Sequence, residues 1–493
     1  MKTAVIDSAD NVAVALQDIY AGEDTGGGLL AREDIPCGHK LALCDIDAGA
    51  NVIKYGFPIG TASEYIPCGA LVHSHNLKTA LTGAAQYDYD PVSSVASAVK
   101  NGVDNEAVFY GYPRKDGSAG TRNGVWVIPT VGCANAAVRD IAAQANALYG
   151  DMCDGVHAFT HPYGCSQLGE DAKHTSECLA ALSRSPNAGG VLFVSLGCEN
   201  NNIDIMRGFL GDYDTERVRF LVMQECEDEV ARGVELCKAL CELAGSCKRT
   251  AVPLSGLVVG MKCGGSDAFS GITANVLCGM AADKICAANG SVILTEVPEM
   301  FGAEQLLFNR CENREIFNDA VNMINSFKGY FEAHGEPVFE NPSPGNKRGG
   351  ITTLEEKSLG CIRKGGYCTV RDVLPLYTAR RKTGLSLLWG PGNDIVSSTN
   401  LTAAGANLIL FTTGRGTPLG APVPTLKIAS NTPLAVRKAH WTDFDAGCVL
   451  GGGYEDAAEA LTELIIKTAC GELTANERSH NEEIAIFKGG ITL

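Results

Sequence analysis

The pattern of apolar and polar positions changes near residue 108. Between residues 11 and 81, short apolar stretches ("NVAVALQDI", "HKLALCDI", "NVIKYGFPIG", "ALVHSHNL") are separated by the turn-rich "EDTGGG", "DIPCGH" and "DAGA". Strand-length runs bounded by Gly, Pro and Asp predict a small all-β domain, residues 1–82. Residues 83–107 are polar and small with little periodicity, the texture of a partly packed linker. Beyond Phe109, apolar runs alternate with longer helical stretches, which predicts α/β layering on mostly parallel sheets. Five runs, "GVWVIPTV", "GGVLFVSL", "SGLVVGM", "GSVILTEV" and "NLILFTTG", are apolar throughout, as strands covered on both faces are. Each leads into a polar or glycine-rich cluster, at residues 132–135, 197–200, 262–267, 296–299 and 412–418. Ligands of open α/β sheets bind outside the carboxyl ends of the strands, so the five clusters are expected to share one crevice. A break near residue 250 divides this region into an α/β domain, 108–250, and a C-terminal catalytic α/β domain, 251–493. After Gly451 the pattern reads as one helix and a frayed end.

Composition narrows the function classes. The chain has 493 residues and a formal charge of −17, which disfavours nucleic acid, since phosphate backbones are met by Lys/Arg stripes. No apolar run reaches the ~18 residues needed to cross a bilayer, and no basic-plus-apolar leader opens the chain, so no membrane partner and a cytoplasmic location are expected. The 20 cysteines then stay reduced, as core fillers, metal ligands or reactive groups, and none forms a C-x-x-C pair. The 57 glycines cluster after the apolar runs, where they let backbone approach a ligand.

Candidate chemistry falls into four groups. His73 and His75, two apart on an expected strand, share a face and are placed to chelate one metal ion; the plain alternative is a pair at a solvent-facing strand end. Cys133, Cys165, Cys198 and Cys263 fall at strand ends, where three or four of them are able to hold iron or an iron–sulfur cluster, or to be small residues beside tight turns. "GYPRKDGSAGTRN" (111–123) gathers Arg114, Lys115, Asp116, Thr121, Arg122 and Asn123, suited to clamp a polyhydroxy acid or to form a solvated loop. "KCGGSDAFSG" supplies Lys262, Gly264, Gly265, Ser266 and Asp267 but fits neither the P-loop nor the dinucleotide pattern, so a small polar substrate suits it better. Asn346, Lys347, Lys357, Thr413 and Arg415 add polar groups from three further segments. Given the net charge, these local cations must capture an anionic substrate.

Taken together, "IPCGHKLAL", "VIKYGFPIG", "GYPRKDGSAGTRN", "HPYGCSQ", "SLGCEN", "KCGGSDAFSGITAN", "EVPEMFGAEQLL", "SPGNKRGG", "EEKSLG" and "FTTGRGTP" resemble the altronate/galactarate dehydratase family over nearly the whole length. The resemblance implies a β-clip (SAF-type) domain over residues 11–81 and a hydro-lyase. "VHSHNL" and "GPGNDIVSSTNLTAAGANL" resemble the altronate branch, implying loss of water from D-altronate to give 2-keto-3-deoxy-D-gluconate. Galactarate or a related sugar acid is the alternative substrate. Ferrous iron is the implied cofactor, with Mn²⁺ as a second metal and an iron–sulfur cluster as a third reading. That chemistry needs a base, an acid and a holder for the developing enediolate. Here His73 and His75 are the expected iron ligands, with the four cysteines as alternatives. Arg122 and Arg415 are the expected carboxylate clamp, and Lys262, Asp267, Glu296 and Lys357 the candidates for acid and base. The expected partner is a small sugar-acid substrate, a homo-oligomer being compatible. A non-catalytic sugar-acid-binding protein is the reading from a different class.

Overall fold

A computed structural model describes residues 2–81, 83–92, 107–339 and 341–489. The N-terminal region folds as two small antiparallel sheets. One orders strands Thr3–Ala4, Val12–Ala15, Lys40–Ala42 and Leu71–Val72; the other orders Asn51–Lys54, Phe57–Ala62 and Leu77–Lys78. Successive side chains of a strand point to opposite faces. Val12 and Val14 accordingly join the large core shared with the C-terminal region, whereas Ala13 and Ala15 pack with Ile19, Ile35 and Leu41 on the other side.

Most of the expected linker, residues 93–106, lies outside the described residues. Its first part packs along the C-terminal region: Tyr87 Oη donates to Glu304 at 2.5 Å and Tyr89 Oη to the Cys311 carbonyl at 2.9 Å. The chain then enters the strand Val108–Pro113, which pairs antiparallel with Thr250–Pro253. Both ends of the intervening α/β unit thus meet in one small sheet.

That unit carries a four-stranded parallel sheet in the order Val156–Ala158, Gly124–Pro129, Ala188–Ser195, Val218–Val222. The C-terminal region carries a seven-stranded parallel sheet in the order Val370–Leu374, Gly384–Leu388, Ser291–Leu294, Val258–Cys263, Leu408–Thr413, Thr425–Ala429, Phe444–Asp445. All five apolar runs are buried strands, but they divide between the two sheets, and this corrects the expectation of one crevice. The clusters at 132–135 and 197–200 end strands of the smaller sheet; those at 262–267, 296–299 and 412–418 end neighbouring strands of the larger one. The chain after Gly451 is also more than one helix and a frayed end. Beyond Tyr454–Ala469 and Ala475–Arg478, residues 481–489 run extended into the smaller α/β unit, where Lys488 Nζ donates to the Asp171 carbonyl at 2.6 Å.

Ionic contacts, two of them described next, help hold the regions together. Lys40 and Lys54 reach from the N-terminal sheets to one carboxylate, Glu356, at 2.9 and 2.7 Å, all three side chains essentially inaccessible. Against the cost of burial, the two ammonium groups hold Glu356 well below the usual carboxylate range. Removing the single anion leaves two buried cations, so Glu356→Gln should destabilise the protein by about 3–5 kcal/mol, read by urea denaturation; a loss below about 1 kcal/mol would show that the pair contributes little.

The second interaction is pH-dependent. His157 Nδ1 lies 3.0 Å from Glu482, and against burial the Glu482 carboxylate and the Asp154 carbonyl raise the imidazole from 6.5 to about 9. A pKa raised on folding stabilises fully below the unfolded value and is lost as pH rises through the folded one. Amide protection of Ala485 and Phe487 should therefore decline between pH 6.5 and 9 relative to the core; a flat profile would exclude the His157–Glu482 pair as the anchor.

Candidate active site

The carboxyl edge of the larger sheet brings together groups from three adjacent strand ends and one helix. Strand Val258–Cys263 ends on Lys262 and Cys263. The turn after Ser291–Leu294 supplies Glu296 and Glu299, and the loop after Gly384–Leu388 supplies Asp394 at the start of helix Asp394–Ala403. Helix Leu354–Cys361 and the turn Ile362–Gly365 lay Lys357, Cys361 and Lys364 across them.

The centre is a buried ionic cluster. Lys262 Nζ pairs with Glu296 Oε1 and with Asp394 Oδ1 (2.9 Å), and donates to the Cys263 carbonyl at 2.8 Å. Glu296 Oε2 accepts from Lys364 Nζ and from the Cys263 amide, both at 3.0 Å. Glu299 Oε1 pairs with Lys357 Nζ at 2.7 Å, and Cys361 Sγ lies 3.0 Å from Glu299 Oε2. Glu296 has left-handed backbone (φ 70°), a strained conformation for a non-glycine residue that the two lysines and the Cys263 amide hold in place.

Burial sorts the proton affinities of these groups. Burial and the neighbouring Glu299 carboxylate push Glu296 up to about 7. Against burial, Lys357, Lys364 and Lys262 hold Glu299 down to about 2. Burial opposes the charged form of Lys262 and Lys364 too, but the surrounding carboxylates win and hold both above the usual lysine range. The hydrogen bond with Cys361 and, against burial, the Lys364 ammonium bring the Cys263 thiol down to about 6; the same hydrogen bond and burial raise Cys361.

Cys263, Glu299 and Cys361 place one ligand atom each within 4.8 Å of the others, the one such group of three among the described residues. Two sulfurs and a carboxylate oxygen suit a first-row divalent metal, and three protein ligands leave a position for substrate. Lys357 on the second oxygen of Glu299 orients that ligand, as outer partners of metal sites do.

Other predicted groups surround this centre. Ser266 Oγ is 2.6 Å from Cys263 Sγ, and the Ser266 carbonyl accepts from Asn346 Nδ2 at 2.8 Å. Asp267 is buried and accepts from Ser270, Ser430 and Asn431, so it ties the glycine-rich loop to the end of strand Thr425–Ala429, two strands away. Arg415 is exposed and spends one donor on the Gly345 carbonyl; Thr413 Oγ1 accepts from the Gly416 amide, and Lys347 is exposed nearby. Gly265 has φ 65°, and a side chain on Gly264 would meet Phe411 and Asp394 at 2.6 and 2.7 Å, so both positions need glycine.

Two expected groups lie elsewhere. Residues 73–76 form a turn rather than strand, so the shared-face argument for His73 and His75 does not apply. His73 Nε2 lies 3.0 Å from the Lys347 carbonyl, its Nδ1 3.0 Å from Ser74 Oγ, and its ring stacks on His39; His75 is exposed. In the 111–123 segment, Thr121 and Arg122 clasp the C-terminal region, while the other groups bond within the smaller α/β unit. Arg122 gives its donors to Glu477 and to the carbonyls of Thr121, Thr468 and Glu472. Thr121 Oγ1 donates to the Asn407 carbonyl, Asn123 Nδ2 to Ala244, Arg114 to Pro186, and Asp116 caps its own turn at Ser118. Of the four cysteines, only Cys263 reaches the centre. Cys361 and Glu299 escaped sequence reasoning as ligands; the available signal was their spacing, Glu299 three residues after Glu296 and Cys361 three before Lys364, each on a single helical turn.

Substitution separates the two ligand sets. Loaded anaerobically with Co²⁺, the protein should lose bound metal and thiolate-to-cobalt absorbance on Cys263→Ser, Cys361→Ser or Glu299→Gln, and keep both on His73→Ala/His75→Ala. The reverse pattern would return the site to the histidines.

Family models match three consecutive stretches: the altronate/galactarate dehydratase SAF domain over residues 1–80, the D-galactarate dehydratase/altronate hydrolase second domain over 111–245, and the D-galactarate/altronate dehydratase C-terminal domain over 254–492. The chain is 48% identical to altronate dehydratase of Escherichia coli over 100% of both chains. It is 47% identical to altronate dehydratase of Bacillus subtilis over 99% of each. Identity to the galactarate dehydratase (L-threo-forming) of E. coli is 32%, over 98% of this chain and 96% of that one.

Proposed function

The chain belongs to the D-galactarate/altronate dehydratase family, and on that premise we propose that it removes water from D-altronate to give 2-keto-3-deoxy-D-gluconate. Similarity of 48% and 47% to two altronate dehydratases, against 32% to a galactarate dehydratase, favours altronate over the longer-charged diacid. The observation that carries the chemistry is the buried Lys262–Glu296–Lys364 cluster beside the Cys263, Glu299 and Cys361 ligand set.

In the reaction, the C2 proton passes to a base while the bond from C3 to its hydroxyl breaks and the hydroxyl leaves as water. The resulting enol takes a proton at C3 and becomes the 2-keto acid. Glu296, at about 7, is tuned to accept a proton near neutral pH, and Lys262 and Lys364 hold its two oxygens in place. Lys357, with its ammonium between Glu299 and Asn341, is the nearby donor toward the leaving hydroxyl. Ferrous iron held by Cys263, Glu299 and Cys361 would supply a Lewis acid for the substrate oxygens. Arg415 and Lys347 are the exposed cations that draw in the carboxylate.

The cavity beside this centre, lined by Ser266, Asp267, Lys357 and Cys361 among others, has a volume of about 10 Å³, room for about one water. A reducing cytoplasm suits this reading, since Cys263 and Cys361 must stay reduced to bind metal.

Side-by-side assay of altronate and galactarate, following 2-keto acid formation by the iron-loaded chain, should show turnover of altronate well above galactarate; altronate turnover at background would refute the assignment. Glu296→Gln should lower kcat by roughly 10²–10⁴-fold with metal content unchanged. Near-normal kcat in that variant would move the base elsewhere.

A further inference from the structure

The smaller parallel sheet has its own carboxyl edge, which the reaction above does not use. Three adjacent strands, Val156–Ala158, Gly124–Pro129 and Ala188–Ser195, lead into loops that carry Cys165, Cys133 and Cys198, and all three thiols are exposed. Neighbouring strands lie ~4.8 Å apart, so the three loops form one continuous rim. Hydrogen bonds stitch them together: the Gly132 amide donates to the Tyr163 carbonyl at 2.7 Å, the Asn201 amide to Gly164 at 3.1 Å, and the Ser166 amide to Asn200 Oδ1 at 3.0 Å. Glu199, buried beneath the rim, accepts from Thr130, Ser195 and the Gly197 amide at 2.5, 2.6 and 2.7 Å. Ser166, next to Cys165, sits in left-handed backbone at φ 55°.

Two further observations point to a ligand. Gln167 is 4% exposed, and its Nε2 is a buried donor with no hydrogen-bond partner among the described residues. It lines a cavity of about 270 Å³ between helices Gly169–Ser183 and Ile203–Leu210, whose wall includes Gly164, Asn200 and Asn201 from the Cys165 and Cys198 loops but none of the three cysteines. A buried amide left without an acceptor is costly, and the sulfide of an inorganic cluster would accept from it.

We propose that Cys133, Cys165 and Cys198 hold an iron–sulfur cluster at this rim. A single ion would need its ligand atoms crowded together, and among the described residues only Cys263, Glu299 and Cys361 are crowded within 4.8 Å. Thiolates that each bind a different iron of a cubane stand further apart, so separate adjacent loops can supply them. The fourth strand of the sheet also leads to a cysteine, Cys226, but its thiol turns back onto the Val222 carbonyl at 3.3 Å. One iron of the cluster would therefore lack a protein thiolate and stay open to water or a small oxygen ligand. The site takes a preassembled cluster by ligand exchange: three Fe–S bonds to the donor's thiolates break, three form to the chain's cysteines, and the three cysteine protons pass to the released donor thiolates, with no change of oxidation state.

The cluster is tested without an activity readout, so its outcome is independent of the altronate reading. The full-length protein, purified anaerobically or loaded from a cluster donor, should contain acid-labile sulfide, on the order of four per chain, with broad visible absorption. Cys133→Ser, Cys165→Ser and Cys198→Ser should each remove the sulfide, and Cys263→Ser should retain it. Alkylation followed by mass spectrometry gives a second readout on unmutated protein: the three rim thiols should be protected in the loaded form and modified after the cluster is stripped. Absence of sulfide after loading, sulfide retained in the triple serine variant, or equal alkylation in both forms would overturn the proposal.

Discussion

Charge balance inside a closed space is the constraint on which this molecule turns. Lys262, Lys357 and Lys364 are buried at the end of the larger sheet, and an uncompensated ammonium there would be prohibitive. Glu296, Glu299 and the partly exposed Asp394 answer them, and the geometry of that answer aligns Cys263 with Cys361. The three lysines and Glu299 keep one another charged while Glu296 is left near neutrality, and the mutual pairing makes the cluster rigid as well as polar. That rigidity fixes both a carboxyl group tuned near neutrality and a set of ligand atoms a metal can share.

The same logic, one step outward, places the N-terminal sheets. Glu356 sits on the helix that delivers Lys357 and Cys361, and it is held by two lysines from another part of the chain. The docking of the β domain and the position of the reactive helix are therefore one problem. Glu355 strengthens the link by accepting from Thr79 and the Ala80 amide.

Much of this was legible in the sequence. Continuous apolar runs announced buried parallel strands, and the polar residues that follow them announced the sheet edges; Lys262 and Glu296 came from that reading, and Lys357 from the separate polar segment 355–360. What failed was tertiary. Period and spacing say which strand ends exist but not which sheet they join, so two edges were merged into one. His73 and His75 were judged by strand geometry, whereas Asn76 closes a turn there through its contact with the His73 amide. Arg122 looked like a free cation because its partners, Glu477 and the carbonyls of 468 and 472, lie some 350 residues away. Cys361 carried only its spacing to Lys364 as a local mark, because its partners Cys263 and Glu299 arrive from two other strand ends.

The small antiparallel pairing of Val108–Pro113 with Thr250–Pro253 carries a consequence for how such a chain can be assembled. Where the smaller α/β unit leaves the rest of the molecule and where it returns are neighbours across a single ladder. The unit is thus grafted onto the remainder like a branch on one stem, and its gain, loss or exchange would leave the path of the surrounding chain undisturbed. A molecule built this way can carry a second chemistry on the branch while the trunk keeps its own.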